Sequence, residues 1–196
     1  MKKTLTVLLA LVLVIAMSVA GTMAYLTSQA SVTNTFTVGN VTITMDETDV
    51  DNSTANKERD TANAYKLIPG MTYTKDPIIH VDPLSEDCYL FVKVVNGIED
   101  YEAAGNTTIA AQMAANGWKV VDATKGTYVY ALPDADKTIV AAGSDKPVFG
   151  SFKIADNANI TASGSALDVV VTAYAVQAEG FADKSPADIW TAANFT

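Results

Sequence analysis

The sequence predicts an all-β domain, and three observations carry that prediction. Apolar residues alternate with period two through most of the chain. The alternating runs are rich in Val, Ile, Thr and Tyr and are punctuated by Gly, Pro, Asn and Asp. Helical patterns long enough to connect parallel strands do not occur between them, which argues against α/β architecture. About eight short strands with two short helices suggest a two-sheet sandwich of jelly-roll type.

The elements follow in order. Met1-Lys2-Lys3 precedes an uncharged run from Thr4 to Ala24 that ends in Gly21-Thr22-Met23-Ala24. A basic start, an apolar segment and small residues at the boundary read as a signal helix, 1–24, cleaved between Ala24 and Tyr25. The alternative is an uncleaved membrane anchor, since roughly 20 apolar residues can span a bilayer. Residues 25–38 form an arm, and 39–196 the sandwich domain. Val32, Phe36 and Val38 fall on even positions, whereas Val41, Ile43 and Met45 fall on odd ones. The phase changes at Gly39-Asn40, where a bulge or tight turn keeps each set on its proper face.

Residues 46–64, with Asp46, Glu47, Asp49, Asp51, Glu58 and Asp60 among Ser, Thr and Asn, read as an exposed acidic loop. The spacing Asp49, Asp51, Ser53 begins like an EF-hand, but Thr54 stands where the turn Gly belongs and Asp60 where Glu closes the site. Calcium binding and a merely solvated loop both stay open. After the Pro69-Gly70 turn a strand is expected over Tyr73–Val81. Cys88–Val95 is apolar on nearly both faces and reads as a central strand. Asn106–Asn116 reads as a helix capped by Asn106 and stopped by Gly117. Strands are expected over 118–122, 127–132, 137–142, 146–155 and 168–177. Ser185-Pro186-Ala187-Asp188 opens a terminal helix, with Ser as N-cap and Pro at its first position.

Composition narrows the function. The 196 residues carry 22 Asp+Glu against 13 Lys+Arg, a net charge of −9; loss of 1–24 makes it −11. Such a chain, with Arg59 its one arginine, is a poor match for nucleic acid. One His and one Cys cannot build a Cys/His zinc site, a disulfide or an iron–sulfur cage. No GxSxG or HExxH occurs. His80 and Cys88 could meet as a nucleophilic pair, against a buried Cys and a sheet-face His as the simpler reading. Trp118 and Trp190 could form a sugar-stacking platform or be ordinary core. No cofactor and no catalytic residue is expected. Cys88 lies far from the signal, so no acylated cysteine is expected there, and the C-terminal residues suggest no anchor.

Five stretches together resemble the TasA/camelysin family of exported bacterial proteins, which are processed by a SipW-type signal peptidase. They are Gly21-Thr22-Met23-Ala24-Tyr25-Leu26-Thr27, Val32-Thr33-Asn34-Thr35-Phe36-Thr37-Val38-Gly39-Asn40-Val41, Pro69-Gly70-Met71-Thr72-Tyr73-Thr74-Lys75-Asp76-Pro77, Glu86-Asp87-Cys88-Tyr89-Leu90-Phe91-Val92-Lys93-Val94 and Thr172-Ala173-Tyr174-Ala175-Val176-Gln177-Ala178-Glu179-Gly180-Phe181. The resemblance implies a secreted jelly-roll subunit that polymerises head to tail into biofilm-matrix fibres at the bacterial surface, self-associating with or without an accessory matrix protein. The arm of one subunit would complete a sheet of the next. At roughly 3.3 Å per residue the arm reaches about 46 Å. Leu26, Val32, Phe36 and Val38 would be its apolar plugs, whereas the polar Thr27-Ser28-Gln29-Ala30-Ser31 departs from a pocket-filling pattern. The camelysin branch implies a cell-surface metalloendopeptidase as the enzyme alternative. An adhesin or carbohydrate-binding jelly roll is a third class.

Overall fold

Period-two alternation becomes ten strands and two short α-helices in the computed structural model, which describes residues 40–54, 58–124, 126–132 and 139–195. The strands are β1 (Ile43–Thr48), β2 (Arg59–Asp60), β3 (Thr72–Thr74), β4 (Ile78–Val81), β5 (Cys88–Asn96), β6 (Lys119–Thr124), β7 (Thr127–Leu132), β8 (Asp145–Pro147), β9 (Ser151–Lys153) and β10 (Val169–Gln177). The helices are α1 (Ile109–Ala115) and α2 (Pro186–Ala193). All pairing is antiparallel, in three open sheets ordered β2-β1-β4-β8, β10-β5-β7-β6 and β3-β9. The expected signal segment, the expected arm and Gly39 of the phase change lie outside the described residues.

The third sheet departs from the two-sheet expectation, and its origin is local. The stretches 73–81 and 146–155 each break into two strands instead of running through. Tyr73 pairs with Phe152 and Ile79 with Lys146, so β3–β9 and β4–β8 keep one continuous register. Between them Lys75 N donates to Gly150 O at 3.3 Å and Val148 N to Pro77 O at 2.9 Å. Pro77 has no N–H to continue the ladder, so one long strand pair kinks there and is divided between two sheets.

The core lies where these sheets face one another. Leu90, Val92 and Val94 of β5 meet Ile79 and Val81 of β4, Phe149, Phe152 and Ile154 from the β8–β9 side, and Ile109 and Met113 of α1. Thr108, not the expected Asn106, caps α1, its Oγ1 accepting from Ala111 N at 3.2 Å. Gly117, at φ +89°, ends it in a conformation that glycine adopts without strain. Trp118 then plunges into the core, only 2% exposed, with Nε1 donating to Pro147 O at 3.0 Å.

A satellite core forms on the opposite face of the β5 sheet. Ser185 caps α2 as its sequence indicates, with Oγ accepting from Asp188 N at 3.2 Å. Ile189 is fully buried against Tyr89, Phe91 and Ala131, and Trp190 packs with Phe91, Tyr174 and Phe195. The expected strand 137–142 is reduced, among described residues, to Val140, which exchanges two backbone hydrogen bonds with Cys88.

Candidate functional site

Sheet edges decide whether a β domain can accept another strand, because an edge presents unpaired N–H and C=O groups. Most edges among the described residues are guarded. β2 has two residues; β8 has three, including Asp145, Lys146 and Pro147; β3 and β9 have three each. β6 carries Lys119 and Asp122 and an irregularity between Val120 and Asp122. β10 is different: Val-Val-Val-Thr-Ala-Tyr-Ala-Val-Gln, nine residues in unbroken register with β5, has no charge, proline or bulge.

The direction of the groups that do not bond β5 follows from the ladder. Ala178 N donates to Asp87 O at 2.8 Å, and Gly97 N to Asp168 O at 2.9 Å. In an antiparallel pair bonded residues alternate, so Val170, Thr172, Tyr174 and Val176 bond β5. Val169, Val171, Ala173, Ala175 and Gln177 therefore turn both backbone groups away from β5. Four of these odd residues also send their side chains to the main core, yet Val169, Val171, Ala173 and Ala175 are only half-buried. One strand inward, Leu90, Val92 and Val94 are at most 1% exposed. Val41, Ile43 and Met45, leading into and along β1 on the facing sheet, are likewise only partly covered. Among the described residues the apolar interior is thus incompletely sealed along the β10 side, next to five residues whose backbone groups face away from β5.

The expected solvated loop 46–64 is corrected at its two ends: Asp46–Thr48 belong to β1, Arg59–Asp60 to β2, and Glu47 and Asp49 are 5% and 6% exposed, whereas Asp51 and Glu58 between the strands are exposed as expected. Local donors make this possible. Lys75 Nζ reaches Glu47 Oε2 at 2.8 Å, and Asn63 Nδ2 reaches Glu47 Oε1 at 3.1 Å. One carboxylate oxygen each from Asp49, Asp51 and Asp60 lies within 4.8 Å of the others. Each of these carboxylates also accepts from nearby groups: Asp49 from Ser53 N and Thr54 N, Asp51 from Ser53 N and Ala64 N, Asp60 from Ser53 Oγ and Ala62 N. The hydrogen bond from the Thr54 side chain is the main cause that holds the Asp49 carboxyl below its ordinary range.

A charge ladder crosses the β2-β1-β4-β8 sheet. Arg59 of β2 bonds Asp46 of β1 through Nε and also contacts Asp76 Oδ2 at 3.4 Å. Asp46 Oδ1 lies 3.3 Å from His80 Nε2 on β4, and His80 Nδ1 lies 2.7 Å from Asp145 Oδ1 on β8. The hydrogen bond with Asp145, assisted by Asp46 and opposed by burial, raises the imidazole above its ordinary value. His80 therefore faces two carboxylates and not Cys88. Burial, with Asp87 nearby, pushes the Cys88 thiol up to about 11, and Cys88 is fully buried, which is the opposite of an activated nucleophile. Trp118 is buried in the core, so the two Trp rings do not form an exposed platform. A pocket of about 310 Å³ beside α1 is lined by Asp76, Gln112, Asn116 and Phe149. Its polar side chains are already bonded to Thr48, to Ser151 and Gly150, and to Val148.

The sequence-derived site residues, Ala24 and Tyr25 at the cleavage point and Leu26, Val32, Phe36 and Val38 of the arm, all lie outside the described residues. The β10 edge escaped the sequence reading because edge status depends on which strands pair. Its nine-residue alternation and absence of charge were the available signals. No family model, no curated protein and no solved structure matches this chain.

Proposed function

We propose that the chain is a secreted structural subunit with a jelly-roll-like sandwich that polymerises into extracellular biofilm-matrix fibres. Cleavage of the N-terminal signal helix between Ala24 and Tyr25, by a SipW-type peptidase, frees residues 25–38. This arm adds as a strand to the β10 edge of the next subunit, with Leu26, Val32, Phe36 and Val38 covering its half-buried apolar residues. One observation carries the reading: β10 combines the one long unguarded edge among the described residues with an incompletely sealed core. Main-chain hydrogen bonds supply affinity in such an addition, and alternate side chains supply specificity. The contact is heterologous and does not close, so it propagates a filament. The mechanism is structural and assigns no catalytic residue.

The test compares the chain beginning at Tyr25 with one lacking Tyr25–Thr35, both imaged by negative-stain electron microscopy. Filaments in the first and monomers in the second are expected. Filaments unchanged by the deletion would refute arm insertion. A persistent monomer in both would refute self-sufficient assembly and shift the reading toward a binding module.

A further inference from the structure

The charge ladder has one member on each strand of its sheet, and its centre is the single imidazole of the chain. His80 pairs across the strands with Thr44 of β1 and Asp145 of β8. Its Nδ1 is engaged with Asp145, whereas Nε2 is shielded from water and makes no well-aligned hydrogen bond, although Asp46 Oδ1 is 3.3 Å away. A neutral imidazole carries one proton. Placed on Nδ1, it serves Asp145 and leaves a lone pair on Nε2 facing the Asp46 carboxylate; placed on Nε2, it leaves the lone pair facing Asp145. The doubly protonated ring donates in both directions.

We infer that His80 is a pH-responsive clasp that, when doubly protonated, fastens β8 to β1 across β4, and that this edge of the sheet loosens when the second proton leaves. Among the described residues the charged groups facing the ring are Asp46 from β1 and Asp145 from β8. Arg59 from β2 reaches it only through Asp46, and Asp76 stands behind Arg59. The segment fastened is short: β8 has three residues, flanked by Val81 N donating to Ser144 O at 2.9 Å and Gly143 N donating to Val81 O at 3.1 Å. Because the folded-state value lies above the ordinary 6.5, the contribution is fully present below pH 6.5. It is lost as pH rises through the folded value, by about tenfold in local opening for each unit of difference.

The full-length chain tests it by hydrogen–deuterium exchange at pH 5.5 and 8.5, corrected for intrinsic rates. Since there is one histidine, its ring resonance reports the titration unambiguously by nuclear magnetic resonance. The expected result is a ring that titrates above 6.5 and a peptide spanning 141–148 that loses protection at pH 8.5. His80→Asn should lack the pH step and resemble the wild type at high pH. Asp145→Asn, which retains the imidazole, should lower the ring's titration midpoint, and this holds the inference to account should His80→Asn fold poorly. A ring titrating at or below 6.5, equal protection at both pH values, or the same step in His80→Asn would overturn it.

Discussion

Proline at neighbouring positions of β10 separates the two sides of that strand. Thr172 N–H bonds Lys93 of β5, whereas Ala173 N–H faces outward, as the Ala178–Asp87 and Gly97–Asp168 bonds fix the alternation. Thr172→Pro and Ala173→Pro impose the same φ restriction on the strand. Thr172→Pro also breaks one ladder bond and strands its acceptor, about 1–3 kcal/mol in unfolding free energy, whereas Ala173→Pro breaks none and adds only its ring on the half-buried core side. In assembly the order reverses. Ala173→Pro removes one of five outward N–H groups, worth about 0.5–1.5 kcal/mol net, and should raise the critical concentration roughly two- to tenfold. Urea unfolding followed by circular dichroism measures the first quantity, and sedimentation of filaments the second. Equal stability of the two variants would refute the hydrogen-bond parity. Undiminished assembly of Ala173→Pro would refute β10 as the acceptor edge.

Other outcomes follow from single contacts. Ile189→Ala should cost about 2–5 kcal/mol, because the fully buried side chain holds α2 on the β5 sheet; denaturant titration reads it. Ser185→Ala removes the α2 cap and should cost about 0.5–2 kcal/mol by the same assay. Lys75→Met should destabilise by about 3–5 kcal/mol by stranding the buried Glu47 carboxylate, and Glu47→Gln in the same chain should restore part of the loss. Cys88, fully buried with its thiol pushed up to about 11, should react with a thiol reagent only as fast as the domain opens, so that urea accelerates labelling steeply. The acidic charge should make filament formation increase with salt or acid; turbidity indifferent to both would contradict a repulsive contact.

Legibility in the sequence followed how local each determinant is. The strand 127–132 and the Ser185-Pro186 opening of α2 stand where their patterns place them, because alternation and capping act within a few residues. The central strand at Cys88 is legible from its apolar faces, and it occupies the interior of its sheet. The strand expected over Tyr73–Val81 runs through Pro77, whose missing N–H divides it, and which sheet each half joins depends on partners about seventy residues away. Composition gave no sign that Glu47 and Asp49 are buried, because their burial is made possible by Lys75, Asn63, Ser53 and Thr54, donors whose convergence is three-dimensional. Gly97 is another such case: a Cβ there would lie 2.5 Å from Ala166 O, across a contact no local pattern announces. The His80 ladder draws one residue from each of four strands and leaves no motif at all.

Residue-resolved hydrogen exchange in assembled filaments and in arm-deleted monomer decides whether β10 receives the arm of a neighbour. The amides of Val171, Ala173 and Ala175 should gain protection on assembly, while those of Thr172 and Tyr174 should be protected in both states. Protection that leaves the odd amides of β10 as exchangeable in filaments as in monomer would contradict it.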